Sequence, residues 1–270
     1  GCGGGPVGSN LSSYLVKPAS RKWSEGCTGL EGGSTLGAIV ALAERDPDLF
    51  SDGERDASTA RSRTSESRRC FLITHGHLDH IAGLVISSAL CRPQVKPVYG
   101  VEHTIANLER AMDGGVWPVL GGREDLDGTG KGKGIAYDFE APSTRSRTLS
   151  PSLSFTAFPI AHGPNPSLEQ EVYCSTAAFV KDEETEREFL FFGDVEPDSV
   201  SGTDLNRRVW AAAAPKILDR TLDTIFIECS YPSSQPRELL FGHLSPPFLM
   251  DELDVLVDEV RKQEEAAAAT

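Results

Sequence analysis

The chain has 270 residues, 39% of them apolar and 7% aromatic, which supports an ordinary packed core in one large domain or two small ones. Its 26 basic and 40 acidic side chains give a net charge of −14, which disfavours duplex DNA or structured RNA as a partner and leaves open a small anion captured by metal. No apolar run reaches membrane-spanning length and no secretory signal pattern opens the sequence, so a cytoplasmic protein is expected, with the start at Gly1 rather than Met read as an N-terminal stretch cut away.

Gly1 to Pro6 reads as a glycine-rich turn without the phosphate-loop pattern, leading into an early strand over Leu11–Lys17. Leu36–Arg45 has the character of a helix that Pro47 stops, and the Ser-, Arg- and acid-rich segment 51–69 is a solvated loop. A strand over Cys70–Ile73 follows, then the cluster Thr74-His75-Gly76-His77-Leu78-Asp79-His80, then a helix continuing from Leu84 to Leu90. Pro97–Val101 is a second short strand, and His103 opens a helix through Met112 as a capping or surface residue, with a substrate contact as the alternative.

Residues 121–151, rich in Gly, Asp, Lys, Ser and Thr, read as an exposed insertion whose Lys131 and Lys133 are solvated. Leu153–Ile160 is a strand delivering His162 at its end. Val172–Val180 and Phe189–Phe192 form a hairpin that runs into Gly193-Asp194. Asp204–Leu218 is helical, Thr224–Glu228 a buried-looking strand, and a helix after His243 carries Leu249, Leu253, Leu256 and Val260 on one face. The six cysteines show no C-x-x-C spacing and read as reduced, packed thiols, with metal ligation as the weaker reading.

The H-x-H-x-D-H cluster carries the chemistry. Three imidazoles and a carboxylate within six residues are costly to crowd together unless a cation binds them. His75 and His77 form one half-site and Asp79 and His80 another, a pattern for two adjacent metals held by imidazole and carboxylate, which suits zinc; Mn²⁺ and Fe²⁺ take the same donors. A run of surface histidines is the bland alternative. Five of the six histidines, with Asp79 and Asp194, are placed after strands or before helices, where active sites of layered α/β folds sit.

This order of ligand residues resembles the metallo-β-lactamase superfamily. The wording around it, Gly1–Pro6, Thr74–Leu84, Phe192-Gly193-Asp194, Ile227–Ser230 and Gly242-His243-Leu244, is similar to the class II cyclic-nucleotide phosphodiesterases familiar from fungi. The resemblance implies an α/β fold, a four-layer αββα sandwich, in a single metallo-hydrolase domain over 1–270. It also implies a ligand set: His75, His77 and His162 on a first metal, Asp79, His80 and His243 on a second, and Asp194 bridging, with Asp79 and Asp194 as the catalytic pair.

The expected reaction is hydrolysis of cyclic AMP, with cyclic GMP as a second substrate, to the nucleoside 5′-phosphate by hydroxide bound between two Zn²⁺ ions. Two such ions less Asp79, Asp194 and hydroxide leave about one net positive charge, which draws a singly anionic phosphodiester. Glu228 is expected either to hydrogen-bond a histidine ligand or to cap local structure. The expected partner is a small cyclic nucleotide, with no polymeric nucleic acid and no membrane, and a homodimer is the assembly considered. The competing functions are another hydrolase on the same scaffold, such as an arylsulfatase, lactonase or RNA-processing nuclease, and a non-catalytic zinc-binding protein.

Overall fold

The computed structural model describes residues 11–46, 48–50, 68–90, 95–123, 137–141, 147–150, 152–165 and 172–269. The expectations for Gly1–Pro6, Lys131 and Lys133 lie outside the described residues, as do 51–67 of the first expected loop. The chain forms two compact units, one from residues 2–143 and 147–153 and one from 154–270.

The first unit is built on a six-stranded sheet. Its strands are β1 (Tyr14–Val16), β2 (Cys27–Leu30), β3 (Arg68–Leu72), β4 (Lys96–Tyr99), β5 (Gly121–Gly122) and β6 (Tyr137–Glu140), ordered β1-β2-β3-β4-β6-β5. β2, β3 and β4 pair in parallel, with Leu30 opposite Leu72 and Leu72 opposite Tyr99. Parallel neighbours require crossovers, and α1 (Thr35–Arg45) and α2 (Leu78–Ser87) supply two of them, while α3 (Glu102–Ala111) follows β4. β2 is buried at all four positions, as a strand covered on both faces must be. Phe71, Ile81, Leu84, Ile105 and Leu108 meet in one core between sheet and helices, so the apolar faces of α2 and α3 fix where their first turns lie.

The reading of 121–151 as an unstructured insertion needs correction. It contains β5, β6 and β7 (Arg147–Ser150), and Tyr137 and Phe139 of β6 are core residues. Phe139 lies so close to Gly121 that a Cβ there would stand 2.4 Å from its ring, so the glycine is what allows these strands to approach. The loop expected at 51–69 is also too long by two residues, because Arg68 and Arg69 begin β3. Cys70 is packed as a thiol: burial pushes its pKa up to about 12, and its Sγ donates to the Leu149 carbonyl at 2.7 Å.

The second unit carries β8 (Leu153–Pro164, belonging here from Ser154), β9 (Val172–Asp182), β10 (Glu188–Phe192) and β11 (Leu222–Phe226), in the order β11-β10-β9-β8. β9 and β10 form the expected antiparallel hairpin, and β11 joins β10 in parallel. Among the described residues α4 (Asp198–Ser201) and α5 (Leu205–Leu218) lie between β10 and β11, and α6 (Pro246–Ala268) follows β11. Phe179, Leu190, Phe192 and Val209 form its core around Trp210, with Leu249, Leu253 and Val260 of α6 packed on it beside Leu256. β11 does not conform to the buried strand expected over Thr224–Glu228. It runs two residues earlier and lies at the sheet edge, with Asp223, Thr224 and Phe226 exposed.

Candidate metal centre

In the first unit every donor sits at the carboxyl end of the parallel strands. β3 ends at Leu72, and Ile73-Thr74 carries the chain to His75, which is buried. His77 is the residue before α2, so Asp79 and His80 fall in that helix's first turn rather than in a loop. An acidic side chain there is favoured by the helix dipole. The backbone of this turn is held by the segments before β1 and after β2: Ser12 N–H donates to the Asp79 carbonyl at 3.0 Å, and the Gly32 amide donates to the His80 carbonyl at 2.7 Å. Gly33 could carry no side chain, since its Cβ would lie 2.1 Å from the Asp79 carbonyl oxygen. Gly32 and Gly33 therefore let two backbones touch.

The side chains converge in the same way. His75 Nε2 is 3.1 Å from His77 Nδ1, and the His75 and His80 ring centroids are 4.0 Å apart. His80 Nε2 lies 3.5 Å from Asp79 Oδ2, and its Nδ1 lies 3.2 Å from Oε1 of Glu31, a buried carboxylate just after β2. Donor atoms of Glu31, His75 and His80 all fall within 4.8 Å of one another.

The second unit assembles its donors from three separate places. His162 is inside β8, two residues before its end, and not beyond it as expected; Asp194 follows β10, and His243 precedes α6. Their donor atoms again lie within 4.8 Å of one another, with His162 Nε2 and His243 Nδ1 each 3.8 Å from Asp194 Oδ2. The loop bearing Asp194 is tied down along its length. Gly193 N–H donates to the Thr176 carbonyl, Val195 N–H to Glu228 Oε1, and Glu196 N–H to the Ala161 carbonyl.

Glu228 is more than a cap. Its Oε1 is also 2.7 Å from His243 Nδ1, and Ser230 donates its hydroxyl to Oε2. One carboxylate thus fixes both the Asp194 loop and the His243 ring, which is the hydrogen bond to a histidine anticipated from sequence. Burial works against the His243 imidazolium, but Glu228 and Asp194 more than offset it and raise the pKa above the ordinary value. His162 is set by backbone instead. Its Nδ1 donates to the Gly242 carbonyl at 2.7 Å, and Gly242, at φ 83°, comes so close that a Cβ would be 2.7 Å from that nitrogen.

Two buried groupings of imidazole and carboxylate, with ring nitrogens oriented by carboxylate or carbonyl partners, fit divalent metal by the chemistry of their donors. Glu31 has no place among the sequence expectations, because it joins the cluster only through the pairing of β2 with β3. His103 does not cap its helix: Val101 is at the cap position, with no side-chain hydrogen bond there, and His103 is half-buried in the first turn.

These sheets and donor clusters define a metallo-β-lactamase fold. The crystal structure of unliganded yeast PDE1 matches 96% of this chain and 81% of its own with a TM-score of 0.80 at 21% identity, and the metallo-β-lactamase fold protein YhfI from Bacillus subtilis matches 90% and 73% with a TM-score of 0.52 at 16% identity. The family profile of the class-II cAMP phosphodiesterases matches residues 52–268, and the chain belongs to that family. A 3′,5′-cyclic-nucleotide phosphodiesterase of Schizosaccharomyces pombe is 36% identical over 95% of this chain and 73% of its own length; one from Aliivibrio fischeri is 29% identical over 96% and 74%.

Proposed function

We propose that the protein hydrolyses 3′,5′-cyclic nucleotides, cyclic AMP above all, to nucleoside 5′-phosphates. The observation that carries this reading is a complete set of seven donors in a member of the class-II family: His75, His77, Asp79 and His80 in one unit, His162, Asp194 and His243 in the other. In the proposal the two units act as one hydrolase domain. His75, His77 and His162 would hold one Zn²⁺, Asp79, His80 and His243 would hold a second, and Asp194 would serve both.

A pair of divalent ions, when bound by these residues, would supply a water of lowered pKa and positive charge for the non-bridging phosphoryl oxygens. The chain's own residues do the rest. Glu228 and the Gly242 carbonyl occupy the Nδ1 atoms of His243 and His162, which directs the Nε2 atoms of both rings to ligation. In the reaction, water adds to phosphorus, the bond from phosphorus to O3′ breaks, and O3′ takes up a proton. Asp79, whose carboxylate is part-exposed at the start of α2, is placed in the proposal to take the proton that the attacking water loses and pass it to O3′.

The small, singly charged substrate agrees with a net charge of −14, which would repel a polyanion. The test is hydrolysis of cyclic AMP, cyclic GMP, an aryl sulfate and a bis(aryl) phosphate by zinc-reconstituted protein and by Asp194→Ala. Turnover of cyclic AMP, reduced more than about 100-fold in the variant, is the expected result, since even partners one bond removed from a metal are worth 10- to 100-fold. Near-parental turnover by Asp194→Ala with its metal retained rejects the bridging role, and preference for the aryl sulfate rejects the substrate.

A further inference from the structure

Glu31 is 1% exposed and carries its charge among groups that make sense only together. The parallel register of β2 on β3, Leu30 opposite Leu72, continues one residue further: the Glu31 amide donates to the Leu72 carbonyl at 2.9 Å, bringing its side chain alongside Thr74. There Thr74 N–H donates to Oε2 at 3.3 Å and the Thr74 hydroxyl donates to Oε1. With its proton given to Glu31, Thr74 Oγ1 is left as an acceptor 3.0 Å from His75 Nδ1. On the other side, His80 Nδ1 lies 3.2 Å from the same Oε1.

We infer that Glu31 is a positioning residue for the metal centre, one carboxylate holding both His75, through Thr74, and His80, directly, with Nδ1 turned inward and Nε2 left to ligate. The inference rests on the metal reading above. A carboxylate behind an imidazole fixes its tautomer and raises its basicity. Here a single group does so for two ligands that the proposed function assigns to different metals, so it ties the two metal sites together. Both of its oxygens are engaged by Thr74, which argues for this role over direct ligation.

The backbone gives a second, independent sign. Glu31 adopts φ 65°, a left-handed conformation that glycine takes without strain, with two glycines immediately after it. Buried acid, strained backbone and two imidazole partners together are the features of a side chain kept for a site rather than for packing. Among the described residues its ion-pair partner is His80.

The test is Zn²⁺ binding, measured by competition with a chromophoric chelator, on parent, Glu31→Gln, Glu31→Ala and Thr74→Val protein, with zinc content at saturation by elemental analysis. Glu31→Ala is expected to bind about 10- to 100-fold more weakly and to reach the parent's zinc content at saturation. Glu31→Gln, which still accepts from Thr74, should fall between. In both, kcat for cyclic AMP should drop while KM changes little. Parent-like Zn²⁺ affinity in Glu31→Gln and Thr74→Val overturns the inference even if Glu31→Ala fails to fold, and zinc content one ion short at saturation overturns it in favour of direct ligation. A parent that binds no Zn²⁺ instead overturns the metal reading itself.

Discussion

The two donor clusters reach the same chemistry by opposite routes. In the first unit four donors come from six consecutive residues, in the loop after β3 and the first turn of α2, so neighbourhood in the chain already brings them close, and Glu31, Thr74 and the Gly32 amide have only to orient them. In the second unit His162, Asp194 and His243 stand on β8, after β10 and before α6, and nothing but tertiary contact unites them. Their order is held by hydrogen bonds from residues that are not donors: Glu228, Gly242 and the backbone of Thr176 and Ala161. The dispersed cluster therefore owes its assembly, and not only the orientation of its rings, to residues outside the donor set.

The sharpest way to break this contrast is Glu228→Gln. The carboxamide keeps the size but cannot accept at Oε1 from both Val195 N–H and His243 with the strength of a carboxylate, so both the Asp194 loop and the His243 ring lose their hold. Zinc affinity should fall about 10- to 100-fold, with kcat following. Affinity within about twofold of the parent would mean that the cluster is held by packing alone.

Next in size is Gly242→Ala. A methyl group at φ 83°, 2.7 Å from the carbonyl carbon and Nδ1 of His162, must move either the backbone or the imidazole. The left-handed backbone alone costs about 1–2 kcal/mol for a residue with a Cβ. A lower melting temperature and weaker zinc binding should appear together, whereas Gly122→Ala, with nothing within 4 Å of its Cβ, should change neither. If Gly242→Ala melts early but binds zinc like the parent, the glycine serves the fold and not His162.

The same contrast explains what could be read from the sequence. The H-x-H-x-D-H run was legible because its donors are neighbours in the chain, and the helices α1, α5 and α6 because their apolar periods are long. His162, Asp194 and His243 were legible as residue types near strand ends, though β8 continues past His162 to Pro164, beyond where the apolar run weakens. Glu31 was not, because its role depends on which strand lies beside β2 and in what register. β5 to β7 escaped notice because they are two to four residues long and set among Gly, Asp, Lys and Ser. β11 departs from the buried strand expected because at the sheet edge even the adjacent positions Asp223 and Thr224 are exposed.

The smallest effect expected is one of pH, and it bears on how the dispersed cluster is braced from behind. Glu252 of α6 is 4% exposed, accepts from the Asp198 amide at 2.8 Å and from the Trp210 indole at 2.7 Å, and so ties α6 to the chain four residues beyond Asp194. Burial raises its pKa above 4.5, against the hydrogen bonds from Trp210, Asp198 and Asn206 that lower it. The folded state then holds a proton on Glu252 that the unfolded chain has already released, so in the window from about 4.5 up to the raised value stability falls as pH rises, and above that window it is level. Glu252→Gln removes this titration. Its melting temperature, measured in chelator from pH 4.5 to 8, should show a shallower fall with pH than the parent's. An unchanged slope would mean that Glu252 is ionised in both states and braces the Asp194 loop as a carboxylate throughout.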